Sequence, residues 1–276
     1  MEVLTIVLSS LFALTSGGGL VVDTVAAKQI RSQVLSVETQ AVRIDNSPNY
    51  QAAQGKLQKV RIATRGALLQ PNLRIEALEL ETDPIDLNLQ QLNIDSLDSL
   101  RASLDKPFQG AVRLVLTEAD LNWALQSPEV LAQIQSALNH FIVSKAGSTN
   151  IAYQLEQLQL SLLPDNRLGV NLSLTRPRNS LESDAAVATS RKLNLVLEIG
   201  IRVVEGKTIQ IIEPSGTVNG RPMSSRLLKG FAEGISDRLN LSRWEQDGIL
   251  TRILQLEINE DKLELASFLK LETKIP

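Results

Sequence analysis

The chain has no cysteine, a single histidine, and aromatic side chains at only 3% of its residues. Without cysteine there is no thiolate metal site, no disulfide and no thiol nucleophile. His140 falls on an expected helix beside Phe141. No G-x-S-x-G surrounds any serine, and no spaced carboxylate stands ready to orient the imidazole, so His140 reads as a structural residue and no enzyme is expected. Few aromatics leave few stacking platforms for bases. A formal charge of −3 removes any global pull toward phosphate, so nucleic acid is not expected as a partner. Glu79, Glu81, Asp83 and Asp86 lack the spacing of a calcium loop and read as a solvated face, so no metal is expected. Gly17-Gly18-Gly19 lacks the Lys-Ser/Thr of a phosphate loop, and no dinucleotide or kinase fingerprint occurs, so no cofactor is expected.

What the chain does have is apolar mass. At 43% apolar and 21% charged residues it can build a sizeable core, and leucine dominates the apolar set. Val3–Leu14 has the length of a signal-peptide apolar region and is followed by small residues, although Glu2 stands where a basic residue is usual. Residues 1–22 are therefore expected to be a signal or anchor-like segment, and residues 23–276 one domain. Val22, Val25, Ala26, Ile30, Val34 and Val37 recur at helical spacing and predict an amphipathic helix over Asp23–Val37.

From Val42 to Leu87 the pattern changes to alternation, broken by turn residues such as Asn46-Ser47-Pro48-Asn49. It predicts consecutive antiparallel strands with one face buried. In Leu73–Leu80 the apolar phase slips between Ile75 and Leu78, which calls for a bulge. Val112, Leu114 and Leu116 predict a further strand, and Thr117-Glu118-Ala119-Asp120 has the form of a capping box opening a short helix to Leu125. Ser127-Pro128 starts another helix, carried by Val130, Leu131, Ile134 and Leu138 toward Gly147. The second half repeats the theme. Strands are predicted over Leu158–Leu162, Leu168–Leu174 and the unusually long Leu193–Val203, with a polar loop over Arg176–Ser190. Leu227, Leu228, Phe231, Ile235 and Leu239 draw an amphipathic helix, and Ile253–Ile258 with Leu263–Leu265 a closing hairpin.

The segments VRIDNSPNYQ, QGKLQKVRIATRG, LRIEALELETDPIDL, VRLVLTEADLNWALQSP, VNGRPMSSRLL, AEGISDRL and RILQLEI resemble, in order, the LmeA-like family of bacterial phospholipid-binding proteins. The resemblance covers roughly Val22 to Phe268. It implies an α+β domain in which a long curved antiparallel sheet wraps around amphipathic helices, similar to tubular lipid-binding folds of the bactericidal/permeability-increasing type. It also implies phospholipid binding without chemistry, at the cell envelope, membrane-associated on the non-cytosolic side. One departure stands out: Ala52-Ala53 occupy positions where bulkier apolar residues are expected.

Two sets of residues are candidates for lipid contact. Lys56, Lys59, Arg61, Arg65 and Arg74 form a basic strip, with Lys59, Arg61 and Arg65 on one strand face and Val60 and Ile62 on the other. Near an anionic leaflet each such cation contributes about 1 kcal/mol. Arg221, Arg226 and Lys229 are a second, smaller cationic group. Val60, Ile62, Leu195, Leu197 and Ile199 are candidate groove walls, although alternation alone does not separate a wall from plain core. The alternative from another class is an envelope-assembly scaffold that binds a protein partner, with a closed core and an exposed apolar patch.

Overall fold

In the computed structural model the described residues are 31, 34–91, 96–136, 153–175 and 192–273. The expected N-terminal segment 1–22, most of the helix over Asp23–Val37, His140, the end of the helix toward Gly147, and the Arg176–Ser190 loop lie outside them.

Among the described residues the alternating stretches form thirteen strands in three antiparallel sheets. A six-stranded sheet has the order β1 (Thr39–Asp45), β3 (Lys59–Gln70), β4 (Leu73–Thr82), β6 (Phe108–Thr117), β13 (Lys262–Leu271) and β12 (Ile249–Ile258). A five-stranded sheet has the order β11 (Arg221–Pro222), β10 (Thr208–Val218), β9 (Lys192–Val204), β8 (Arg167–Thr175) and β7 (Gln154–Leu163). The short strands β2 (Lys56–Leu57) and β5 (Ile85–Asp86) pair only with each other. Among the described residues the helices α1 (Leu97–Ala102), α2 (Glu118–Leu125) and α3 (Ser225–Arg238) accompany them, together with helical residues 128–136. The fold is α+β with open curved sheets, as the resemblance implies, but the sheet is divided in two.

The division has a local cause. Strand β12 carries a register shift between Ile253 and Gln255, and its free edge meets hairpin turns of the five-stranded sheet where a continuous ladder would need a strand. The Ile253 amide donates to the Gly206 carbonyl at 2.7 Å. The Ile258 amide donates to Asn166 Oδ1 at 2.6 Å, while the Asn166 amide donates to the Ile258 carbonyl at 3.2 Å. Two turns therefore satisfy the edge of one sheet while ending the other.

Local signals behave as their chemistry requires. Thr117 accepts from the Asp120 amide at 3.1 Å, and Asp120 accepts from the Thr117 amide at 3.0 Å, so the capping box forms. The Val130 amide donates to Ser127 Oγ at 3.2 Å at the head of helical residues 128–136. The bulge expected between Ile75 and Leu78 of β4 falls on β3 instead: the register of β4 is unbroken from Arg74 to Leu80, and Leu69 is the extra residue. Burial changes phase between Ala77 and Leu78, the register shifts between Leu68 and Gln70, and Gly66 opposite adopts φ +58, a conformation open to glycine. The sequence reading missed α1, β11 and the 3-10 segments Asn49–Gln54 and Leu241–Asp247, all too short for periodicity to register.

Candidate functional site

The two sheets bury their apolar faces to different degrees. On the six-stranded sheet Val60, Ile62, Leu80, Phe108, Ile249, Leu269 and Leu271 pack with Leu57, Ile85, Leu87, Leu100 and Leu104 from the connecting segments. Val60, Phe108, Ile249 and Leu271 have 0% exposure, so this core is closed. Ala52 belongs to the same cluster. Its small side chain is a packing choice and lines no groove.

The opposite face of this sheet carries the basic strip, and the strip is paired. Arg61 bonds Asp45 at 2.7 Å and Glu81 at 3.0 Å, Lys59 bonds Glu81 at 2.6 Å, and Arg65 bonds Glu79 at 2.8 Å. Arg113 continues the row by joining Glu79 at 3.3 Å to Glu264 at 2.5 Å, and Lys262 bonds Glu264 at 2.6 Å. Arg74 stands apart, held by Glu38, Glu76 and the buried Asp120 at 2.9–3.0 Å. Lys56 is the loosest, 3.9 Å from Asp86. The hydrogen bonds from Lys59 and then Arg61 hold Glu81 below the usual carboxylate range. Arg65, followed by Arg113, does the same for Glu79, while Arg113 and Lys262 bring Glu264 down to about 2. A shallow trough of about 410 Å³ crosses this face, with Ala41, Ala63, Ala111 and Ala266 among its lining and Arg43, Arg61, Glu79, Glu81 and Arg113 beside them. Its cations and carboxylates neutralise one another.

The five-stranded sheet is arranged otherwise. Leu195, Leu197 and Ile199 alternate on one face of β9. Leu197 and Leu172 pack under Leu228 of α3, and Ile199 joins Ile201, Ile211 and Ala232 beside it. Around that floor Leu155, Leu158, Val170, Leu195, Met223 and Phe231 are only half-buried. A cleft of about 660 Å³ opens between α3 and the edge of β10, lined by Ile211, Leu228, Ala232, Lys229, Glu233 and Asp237 among others. Of the expected groove walls the fold thus brings Leu195, Leu197 and Ile199 together, and separates them from Val60 and Ile62. Arg221 follows Val218, the register partner of Leu195, across the short β11 turn, and Arg226 lies in the first turn of α3. Both are exposed, and among the described residues neither has a carboxylate partner. Lys229 is 4.0 Å from Glu233.

Helices finish both edges of this sheet. Asn122 on α2 accepts from the Leu160 amide at 2.8 Å and donates to the Leu160 carbonyl at 2.7 Å, as a neighbouring strand would. Gln135 repeats this with the Leu155 amide at 2.6 Å and the Tyr153 carbonyl at 2.5 Å, and Glu118 accepts from the Leu162 amide at 2.9 Å. At the other edge Ser236 Oγ accepts from the Ile211 amide at 2.9 Å. Of these residues the sequence analysis named only Glu118, as part of the capping box and not for an edge contact. The available signal is an amide side chain recurring on helices otherwise placed to pack.

Among the described residues no group of three or more His, Asp or Glu side chains is placed to hold a metal, and no helix is long and apolar enough to cross a membrane. The described architecture is α+β with open antiparallel sheets, one of which carries half-buried apolar side chains beside α3. A sequence model of the LmeA-like phospholipid-binding family matches residues 13–268, and the chain belongs to that family. The function that comes with it is phospholipid binding. No curated protein matches the chain in sequence.

Proposed function

We propose that the chain holds a phospholipid by its acyl chains against the half-open face of the five-stranded sheet, beside α3, with Arg221 and Arg226 near the headgroup. The observation that carries this reading is the ring of half-buried Leu155, Leu158, Val170, Leu195, Met223 and Phe231 around a buried floor. Large apolar side chains left partly wet are unfavourable unless something covers them. Sheltering about ten methylenes there offers on the order of 8 kcal/mol before ordering terms. The headgroup assignment rests on charge. The strip Lys56, Lys59, Arg61, Arg65 and Arg74 already has carboxylate partners, whereas among the described residues Arg221 and Arg226 have none.

The setting we propose is the cell envelope, on the non-cytosolic side of a membrane, with the apolar N-terminal run as signal or anchor and the remainder acting as one non-enzymatic lipid-binding unit. The test is native mass spectrometry of the full chain with lipid extraction, followed by titration with vesicles containing an anionic phospholipid. Stoichiometric phospholipid is expected. Replacing Arg221 and Arg226 together by Glu is expected to weaken capture by about 30-fold or more, at about 1 kcal/mol for each cation near the surface. Replacing Lys59 and Arg61 by Gln is expected to leave capture unchanged. A lipid-free mass with no uptake overturns the reading. Loss of capture only in the second variant moves the headgroup to β3.

A further inference from the structure

We infer that α3 is a lid over the lipid-binding face and that it opens by local unwinding; the inference rests on the site reading above. The helix covers the floor of that face, with Leu228 on Leu172 and Leu197, and Ala232 and Ile235 on the cluster of Ile199, Ile201 and Ile211. It separates the half-open ring of apolar side chains from the 660 Å³ cleft on its β10 side, so neither flank is packed shut.

The sequence softens this element where packing does not ask for it. Gly230 and Gly234 stand in the helix interior one turn apart. A Cβ built at either position meets no atom within 4 Å, and neither residue has a positive φ. Nothing in the fold therefore calls for glycine. Each glycine lowers the helix equilibrium about five-fold relative to alanine, about 25-fold for the pair. The ends of the helix are tied independently of its middle. The Met223 amide donates to the Gly216 carbonyl at 2.9 Å before it, and the Leu241 amide to the Lys207 carbonyl at 2.8 Å after it. Between those ties the buried latch is Ser236, whose hydroxyl accepts from the Ile211 amide and donates to the Ala232 carbonyl at 2.7 Å. A segment pinned at both ends, weak in its middle and held by a few apolar contacts and one buried hydroxyl can open without the sheets separating.

The test uses the full chain carrying Gly230→Ala and Gly234→Ala, measured in two ways. Amide hydrogen exchange reads the lid without lipid: α3 amides of the wild type are expected to exchange well before those of β9, and the double variant to slow them by about 25-fold. Transfer of a fluorescent phospholipid between protein and vesicles reads the gate, and is expected to slow in parallel. Ser236→Ala is expected to shift both in the opposite direction. If α3 and β9 amides exchange together, the lid is overturned while the lipid site stands. If protection rises and transfer is unchanged, the helix opens but does not gate, and the inference falls. If neither protein takes up lipid, the site reading falls and the lid with it.

Discussion

The six-stranded and five-stranded sheets are made of similar sequence, leucine-rich alternation with charged residues between, yet they are finished differently. The six-stranded sheet covers its apolar face with α1, the β2–β5 pair and a 3-10 segment, and covers its polar face with cross-strand ion pairs. Around Phe108 the apolar face is closed, whereas Leu73, Val112, Leu114 and Leu116 toward its other end stay half-buried. The five-stranded sheet satisfies its edges with side chains of flanking helices, but leaves part of its apolar face half-buried under a helix weakened by two glycines. In the function proposed above the six-stranded sheet serves as the frame. The other has apolar surface in reserve, and the difference lies in what is laid over each face, since the strands themselves are alike.

The comparison breaks most visibly if the two apolar faces respond alike to truncation. Phe108→Ala removes a side chain with 0% exposure from the closed core and is expected to lower unfolding stability by about 3–5 kcal/mol. Lipid retained by the protein that remains folded is expected to be unchanged. Leu158→Ala trims the half-buried ring and is expected to lower stability by only about 1 kcal/mol while weakening lipid retention. Urea denaturation with lipid quantification of both variants decides the matter. Equal stability losses, or lipid loss in the Phe108 variant alone, would show that the sheets have been assigned the wrong roles.

A smaller effect sharpens the account of the edges. Asn122→Ala strips a donor and an acceptor from Leu160 in one step and is expected to lower stability by about 2 kcal/mol, since both backbone groups sit at a half-buried edge. Asn122→Asp keeps the acceptor for the Leu160 amide and loses the donor, so an intermediate value is expected. Amide exchange at Leu160 is the direct reading. An unchanged rate in the alanine variant would mean that the strand edge is satisfied by something other than α2.

How much of this was legible in the sequence follows from distance along the chain. The Thr117–Asp120 capping box spans three residues, and its donors and acceptors are fixed by helical geometry alone, so spacing was enough. Alternation correctly placed Val60 and Ile62 on the face opposite Lys59 and Arg61, and Leu195, Leu197 and Ile199 together on one face. It is silent on what lies across from a face. Val60 is sealed by the cluster containing Ile249, Leu269 and Leu271, contributed from the far end of the chain, whereas Leu195 meets Met223 and Phe231 and stays half-wet. The pairing of the basic strip with carboxylates is illegible in the sequence for the same reason. Lys59 meets Glu81 across 22 residues and Arg113 meets Glu264 across 151, and those pairings exist only once strand order and register are set.

The ion-pair face supplies the smallest expected effect and the sharpest test that this face is structural. Glu264 ionises in the folded chain at about 2, below its ordinary 4.5, because Arg113 and Lys262 hydrogen-bond its charged form. Asp45, Glu79 and Glu81 are shifted in the same direction by their own cations. A lowered folded value means that the charged form favours folding. The contribution is therefore complete above about pH 4.5 and is lost as pH falls from there toward 2. Glu264 is 15% exposed while Arg113 and Lys262 are 35% and 40% exposed, so solvent screens the pairs and the contribution is on the order of 1 kcal/mol. Glu264→Gln is expected to lower stability by about that amount at neutral pH and to flatten the decline between pH 4.5 and 2. Denaturant titrations across that range measure both. Because these charges face away from the half-open sheet, phospholipid capture at neutral pH is expected to be the same in the variant as in the wild type. A Glu264 variant that keeps its stability but binds lipid differently would place the ligand on the six-stranded sheet, and reverse the assignment of frame and site.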